Sequence, residues 1–276
     1  GAMIGIVTDY AGKRTALPAL LQGSVKRTDG EPCESFSVQC AWGKKTASQL
    51  EGATEFQAVE AGKVVFTGIV DDFELRLGRD GALAEITGRG MAGRLMDMQT
   101  LAAEYVTAQL EDILNAYVRP CGITKIEADE MPPVAQFVVQ TGATCYQALA
   151  GFCRHSADIF PRFLADGTLV LRKDAQGKTV WLGEEILQAQ YVRNRYGVAA
   201  RQVLINTRNG SMQAADYEEF QKLGGTRVQY AGMTGNKVRA SFRTAKQRLD
   251  DARRDEKLLY VTAPGVFLAE PVDMVS

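Results

Sequence analysis

In DFELRL, residues 72–77, Phe73, Leu75 and Leu77 alternate with Asp72, Glu74 and Arg76. That period of two predicts a strand with one face on a core and the other in water. GRDG at 78–81 carries turn chemistry. ALAEIT at 82–87 then returns antiparallel, because so short a connection cannot make the crossover that parallel strands require. Upstream, ESFSVQC (34–40) alternates in the same way, and VVFTGIV (64–70) is β-rich, with Gly68 marking a bulge or a close backbone approach. Residues 1–97 therefore read as a first antiparallel sheet domain, curled into a barrel or a sandwich.

The period then changes. In TAQLEDILNAYV (107–118), Leu110, Ile113, Leu114 and Tyr117 fall at i, i+3, i+4 and i+7, which predicts an amphipathic helix with Thr107 as N-cap and Pro120 beyond its end. A second helix is expected from Thr144 to Ala157, burying Cys145, Leu149 and Phe152. RFLADGTLVLRK (162–173) follows as a hairpin that turns at Asp166 and Gly167. Residues 98–183 thus form an α+β insert. From Glu184 the chain becomes β-like again in YVRNRYGVAARQVLINTRN (191–209) and in the Gly-spaced stretch from Gly224 to Gly235. One charged helix, residues 240–254, carries Phe242, Ala245, Leu249 and Ala252 on a narrow apolar stripe. Two short strands around Pro264 and Gly265 complete a second sheet domain, 184–276. The expected fold is α+β, mainly antiparallel β, with two β-barrel-like domains flanking a small α+β domain.

Composition sharpens this picture. Apolar residues make up 46% and charged residues 24%, in the globular range, and no apolar run reaches the roughly 18 residues that a membrane span needs. Gly1 and Ala2 read as a scar of tag removal, so native numbering is expected to begin at Met3. With 32 basic and 33 acidic residues the net charge is −1, which argues against a grip on duplex DNA. The five cysteines (Cys33, Cys40, Cys121, Cys145 and Cys153) are odd in number and sit in apolar or mixed settings, as reduced thiols do in a cytosol.

Gly88, Gly90 and Gly93 in EITGRGMAGRLMD (85–97) have the spacing of the dinucleotide fingerprint. That motif needs a parallel strand feeding a helix N-terminus, and here the preceding strand belongs to an antiparallel hairpin. Glu111 and Asp112 lie where a ribose-binding acid would be sought, yet inside a predicted helix. The glycines are read as closing a strand (Gly88, Gly90) and as a tight helical start or close packing (Gly93). His155 is the only histidine, and Cys153 beside it points elsewhere on a helix. Cys145 lies too far off to complete recognisable metal spacing. The carboxylate pairs Asp71/Asp72, Asp129/Glu130, Glu184/Glu185 and Glu218/Glu219 are adjacent in sequence, whereas a hydrolase needs two acids facing across a cleft. Arg239, Arg243, Lys246, Arg248, Arg253 and Arg254 are interleaved with Asp250, Asp251, Asp255 and Glu256, as on a solvated helix or a subunit contact. Trp42 and Trp181 are read as core anchors. No catalytic, cofactor-binding or metal-binding residue is assigned.

The order of these parts resembles a known family. FTGIVDDFELRLGRDGALAEITGRGMAGRLMD (66–97) is similar to the end of the first barrel in the baseplate hub proteins of contractile phage tails, the late-control D family. That family's G-x-V/I-D strand, Gly-Arg pair, leucine and aspartate fall here on Gly68, Ile69 to Asp71, Gly88, Arg89, Leu95 and Asp97. LEDILNAYVRPCGI (110–123) resembles the family's helix and Pro-x-Gly-Ile turn. TCYQALAGFCRHSADIFPRFLADGTLVLRK (144–173) resembles its second helix and D-G-x-L hairpin, and residues 245–275 its closing helix and strands. Gly90 and EPVD (270–273) depart from the family pattern. The resemblance implies a non-enzymatic, cofactor-free structural protein of the phage or prophage virion baseplate, assembled in the bacterial cytoplasm. It would be a homotrimer whose two barrels per subunit make a pseudo-six-fold ring joining tail tube to central spike, in contact with other baseplate proteins. No membrane and no sequence-specific nucleic acid partner is implied. The hub of a contractile injection system or bacteriocin particle is an equivalent reading, and a tail-associated cell-wall hydrolase is the alternative from another class.

Overall fold

The computed structural model describes residues 3–26, 32–79, 81–173, 179–180, 186–233, 238–262 and 274–275. Trp181, the Glu184/Glu185 pair, Pro264 and Gly265 with the residues that follow them to 273, and so EPVD, lie outside the described residues, whereas the first of the two strands expected around Pro264 and Gly265 is present as Lys257–Thr262. The protein is α+β and mainly antiparallel β, and it divides into two compact units, one essentially residues 1–177 and the other essentially 178–276.

The first unit opens with β1 (Ile4–Asp9), β2 (Arg14–Ala16), β3 (Leu20–Lys26) and β4 (Ser35–Ala41). Helix α1 (Lys44–Leu50), β5 (Ala53–Glu60), β6 (Lys63–Gly78), β7 (Gly81–Gly90) and helix α2 (Ala92–Asp97) follow. Seven strands form one sheet in the order β2-β1-β5-β6-β7-β4-β3, every ladder antiparallel. VVFTGIV and DFELRL prove to be one 16-residue strand, β6, bulged between Val70 and Asp72. Its first half is buried continuously from Val65 to Gly68, because both faces are covered there; its second half lies against water on one side.

This sheet is rolled. Three strand spacings separate β5 from β4, roughly 14 Å if the sheet were flat, yet the Phe36 and Phe56 rings stack with centroids 4.9 Å apart. Phe66 joins them at 5.2 Å from Phe36. Gly5 on β1 and Leu20 on β3 are nearer still to opposite ends of the strand order. A Cβ on Gly5 would lie 3.0 Å from the Leu20 side chain, and the Leu17 N–H donates to the Gly5 carbonyl at 2.8 Å. Val7, Leu17, Phe36, Val38, Cys40, Leu50, Phe56, Ala58, Phe66, Ala84 and Ile86 fill the interior, with Trp42 packed against it. The sheet is thus curled, as expected of a barrel-like domain, and among the described residues no ladder joins β2 to β3, so the roll stays open.

The rest of this unit runs β8 (Ala103–Ala108), α3 (Leu110–Ile113), a π turn (Leu114–Val118), a 3-10 turn (Arg119–Cys121), β9 (Ile126–Ala128), β10 (Val134–Val139), α4 (Cys145–Ala157), β11 (Arg162–Phe163) and β12 (Leu169–Leu171). The apolar spacing from Leu110 to Tyr117 does make a helical face, with Ile113, Leu114 and Tyr117 buried. Its N-cap is Gln109, not Thr107. Thr107 belongs to β8, where it pairs with Ala135 of β10; strand pairing there outweighs the capping propensity of threonine. Helix α4 starts as expected: Thr144 Oγ1 accepts from Gln147 N at 3.1 Å while Gln147 Oε1 accepts from Thr144 N at 2.9 Å, a reciprocal capping box. The β11–β12 turn is set by Asp166, whose carboxylate accepts from Thr168 N at 3.0 Å. Its tip docks on the rolled sheet, where Thr67 Oγ1 donates to the Ala165 carbonyl at 2.8 Å.

The second unit contains β13 (Thr179–Val180), β14 (Gln188–Arg193), β15 (Arg201–Asn206), β16 (Met212–Asp216), α5 (Glu218–Lys222), β17 (Val228–Met233), β18 (Val238–Arg239), α6 (Ala245–Arg253), β19 (Lys257–Thr262) and β20 (Met274–Val275). Strand β14 pairs antiparallel with β19; β15 lies between antiparallel β16 and parallel β17; β13 pairs in parallel with β20. Val198, Ala199, Ala200, Tyr217, Phe220 and Leu249 form its core, with Ala252 packed against it. Of the stripe expected on the charged helix, Ala245 and Leu249 are buried. Phe242 precedes the Thr244 cap and is outside the helix.

Candidate functional site

The three glycines and the residues that the family resemblance picks out converge at the end of the β6–β7 ladder. Asp71 is the extra residue of the β6 bulge, since Val70 pairs with Gly88 and Asp72 with Thr87. A bulge re-aims a side chain, and here it presents the Asp71 carboxylate to Arg89 of β7. The Arg89 guanidinium donates from Nε to Asp71 Oδ2 at 2.7 Å and from Nη2 to Asp71 Oδ1 at 2.8 Å. It also donates from Nη1 to Asp97 Oδ1 at 2.8 Å and from Nη2 to Asp97 Oδ2 at 2.9 Å. One arginine thus grips two carboxylates, one from the bulge and one from the end of α2, in fork geometry. These hydrogen bonds, that to Asp71 foremost, raise the Arg89 pKa, and Arg89 holds the Asp97 carboxyl below the usual carboxylate range. About a third of the Arg89 and Asp71 side chains is exposed, so the clasp contributes modestly and acts chiefly as a positional pin.

The glycines make room for this joint. A Cβ on Gly88 would fall 1.9 Å from the Ile69 carbonyl oxygen and 2.7 Å from the Phe36 ring. On Gly68 it would fall 2.4 Å from the Arg89 carbonyl oxygen. A Cβ on Gly93 would crowd the far end of the Ile69 side chain, at 2.7 Å, and touch Arg89 Cζ in ordinary contact at 3.5 Å, while one on Gly90 would meet Glu34, nearest at 3.2 Å. Gly68 and Gly90 pair across antiparallel strands, and α2 has only six residues. The geometry of a dinucleotide cradle, a parallel strand feeding a long helix, is therefore not present at Gly88, Gly90 and Gly93. The next segment is pinned nearby: Arg94 pairs with Glu55 at 3.3 Å and lies over Gly122, whose φ of +80° closes the 3-10 turn before buried Ile123.

The other candidates are dispersed. His155 is half-buried in the last turn of α4, while Cys153 faces the core, its thiol pushed up to about 12 by burial. Asp129 accepts from Lys173 N at 3.0 Å. Glu218 lies near Lys222 at 3.9 Å, and Glu219 pairs with Lys257 at 2.8 Å. Glu111 takes Arg119 at 2.7 Å, and Asp112 completes the Gln109 cap. Of the mixed charges around α6, Asp251 binds Arg243 and Arg254, and Asp250 binds Arg253. Among the described residues no group of three His, Cys, Asp or Glu side chains is placed to hold a metal ion, and no helix is long and apolar enough to cross a membrane.

One cluster in the second unit was not legible as a site. Glu256 is 3% exposed and accepts from the Tyr217 hydroxyl at 2.6 Å and from Arg193 Nη2 at 3.0 Å. Arg253 covers the Tyr217 ring at 4.9 Å. The hydrogen bond to Glu256, with burial, pushes the Tyr217 hydroxyl up to about 12. A carboxylate so enclosed ties α5, β14 and the start of β19 together.

The sequence matches no protein-family model and no curated protein. Solved structures are similar along nearly the whole chain. The tail protein from Neisseria meningitidis MC58 aligns over 100% of this chain and 86% of its own, with a TM-score of 0.75 at 17% identity. The chain shares the fold of that protein. The 43 kDa tail protein of prophage MuSo2 from Shewanella oneidensis aligns over 99% of this chain and 85% of its own, with a TM-score of 0.66 at 14% identity. Prophage tail protein gp18 from Listeria monocytogenes EGD-e aligns over 94% and 79%, with a TM-score of 0.59 at 13% identity. At these identities the likeness is one of fold, and within it the Arg89 clasp and the Glu256 cluster are tertiary fasteners.

Proposed function

We propose that this chain is a structural component of a phage or prophage tail, and specifically the baseplate hub of the late-control D type. The observation that carries this reading is the whole-chain likeness to the Neisseria tail protein, to which the ordered motifs at 66–97, 110–123 and 144–173 contribute independently. In this reading the chain divides functionally at 1–97, 98–183 and 184–276. Three copies form a ring in which two related sheet domains per subunit imitate six-fold symmetry, joining a tail tube to a central spike and touching other baseplate proteins. Heterologous contacts that close by rotation produce such a ring, and open strand edges are consumed in subunit pairing. The chain performs no catalysis and holds no cofactor. It works in the virion baseplate after assembly in the bacterial cytoplasm. A contractile injection system or bacteriocin particle would use the same architecture.

The test is reconstitution. The chain is mixed with the tail-tube and spike proteins encoded beside it, and complexes are weighed by sedimentation. A complex with three copies of the chain is expected, even if the isolated chain sediments as a monomer. Failure to bind either partner would overturn the proposal.

A further inference from the structure

Five asparagines occur in the chain, and only Asn209 is followed by glycine. Asn209 and Gly210 stand at the tip of the β15–β16 hairpin, where residues 207–210 are all exposed. Gly210 has φ +70°, and a Cβ built on it would meet nothing within 4 Å, so water reaches the peptide between the two residues. Asn209 Oδ1 accepts from Ser211 N–H at 3.0 Å, an Asx turn that curls the carboxamide round the Gly210 peptide. The Gly210 N–H donates to the Asn206 carbonyl at 2.8 Å. That bond lies at an exposed loop tip, where local opening needs no global unfolding. Each of the other described asparagines lacks part of this arrangement. Asn194 is exposed and makes the same turn, its Oδ1 accepting from Tyr196 N–H at 3.0 Å, but Arg195 follows it and carries a side chain beside the peptide nitrogen. Asn206 is 8% exposed and precedes β-branched Thr207. Asn115 sits inside the π turn, its carboxamide bonded to Glu111 and Arg119.

We propose that Asn209 is a self-modification site: it cyclises onto Gly210 and deamidates, leaving chiefly an isoaspartyl residue at the hairpin tip. The Gly210 backbone nitrogen, once hydroxide has taken its proton, attacks the side-chain carbonyl carbon of Asn209. The new C–N bond closes a five-membered succinimide, and the side-chain nitrogen leaves as ammonia with a proton drawn from water, which restores the hydroxide. Water then opens the ring at either carbonyl. Opening at the side-chain carbonyl gives an aspartyl residue, and opening at the main-chain carbonyl gives an isoaspartyl one. One water is consumed, one ammonia is released, and nothing is oxidised or reduced. The isoaspartyl form routes the main chain through the side-chain carbon and so lengthens it by one atom. It does so inside a loop whose ends are tied by Asn206 N–H donating to the Ser211 carbonyl at 2.8 Å, next to the Ile205–Met212 pair that ends the ladder. The tip is loosened, and a negative charge is added beside Arg208. The inference does not depend on the tail-hub reading.

The experiment holds the full chain at pH 7.5 and pH 9, withdraws samples over several weeks and maps their peptides by mass spectrometry against the starting sample. Isoaspartyl residues are counted with an isoaspartate-specific carboxyl methyltransferase. The mass gain of amide to acid is expected on the peptide holding Asn209, ahead of any holding Asn115, Asn194 or Asn206. It should run faster at pH 9, because the reacting form is the deprotonated peptide nitrogen. Gly210→Ala should slow it about tenfold, a rise of about 1.4 kcal/mol in the barrier. Asn209→Gln, whose longer side chain cannot close a five-membered ring, should show no gain at that position. In the aged wild type, hydrogen exchange at Ser211 and Met212 should be faster than in fresh protein. No gain at Asn209 at pH 9, an earlier gain at Asn115, Asn194 or Asn206, or an undiminished rate in Gly210→Ala would each overturn the proposal.

Discussion

Replacing Gly88 by alanine separates a steric role for the three glycines from a ligand-binding one. The added methyl would be placed 1.9 Å from the Ile69 carbonyl oxygen, 3.0 Å from its carbonyl carbon and 2.7 Å from a Phe36 ring carbon. Non-bonded carbon and oxygen need over a further ångström, and neither obstacle can swing aside. Ile69 is obstructed by backbone, and Phe36 is 4% exposed and stacked on Phe56. Relief requires β6 and β7 to part where Val70 pairs with Gly88, beside the bulge that holds Asp71. Overpacking of this kind costs about 1–3 kcal/mol, and each ladder hydrogen bond lost adds about 1 kcal/mol. A total of about 3 kcal/mol would lower the melting temperature by roughly 6–12 °C in a unit of this size. Gly93→Ala displaces only the tip of Ile69, and Gly90→Ala only the flexible Glu34 side chain, so each should cost less than about 1 kcal/mol. Differential scanning calorimetry of the three variants decides the matter. Gly88→Ala melting within about 2 °C of wild type, or Gly90→Ala proving the worst of the three, would refute the steric role.

Three other outcomes are expected. Arg89→Ala should cost about 1 kcal/mol by urea titration. It should also flatten the acid limb of stability, because the depressed Asp97 carboxyl contributes stability fully present above its unfolded pKa and lost as pH falls through the lower folded one; an unchanged acid limb would contradict the clasp. Tyr217 works in the opposite sense: its folded pKa is raised to about 12, so its contribution is complete below the unfolded value of about 10 and vanishes as pH rises through 12. Tyr217→Phe should therefore remove an alkaline unfolding step of the second unit and, by leaving buried Glu256 one donor short, destabilise it by about 1–3 kcal/mol at pH 7. At the β5–β6 turn, Ala61 has φ +47° and Gly62 +79°, a pair of left-handed positions that suits Asn-Gly; Ala61→Asn should stabilise by about 0.5–1 kcal/mol, read as a higher urea midpoint.

What the sequence disclosed and what it hid follow from the range of each interaction. The alternation around Phe73, the Thr144 capping box and the Asp166–Gly167 turn are short-range effects, and each appears where its residues predict it. Thr107 failed as a cap because Ala135, far along the chain, claims its backbone. Helix α1 carries one large buried apolar residue, Leu50, too few to leave a periodic mark. The roll of the first sheet has no local signature at all: it shows only in Phe36 meeting Phe56 across two intervening strands. Asp71 beside Asp72 reads locally as solvated charge, and only the bulge turns Asp71 toward Arg89. Asp71, Arg89 and Asp97 are among the eight positions that the family resemblance picks out, with Gly68, Ile69, Val70, Gly88 and Leu95, but that these three meet is shown only by the structure.

The most direct measurement of the central claim is the copy number of this chain in tail particles purified from the cells that encode it, by quantitative mass spectrometry against the spike and tube proteins. Three copies per particle, equal to a trimeric spike and half of each six-membered tube ring, is the expected result. Particles that assemble without the chain would contradict the structural role, and a copy number of six or more would contradict the three-fold hub.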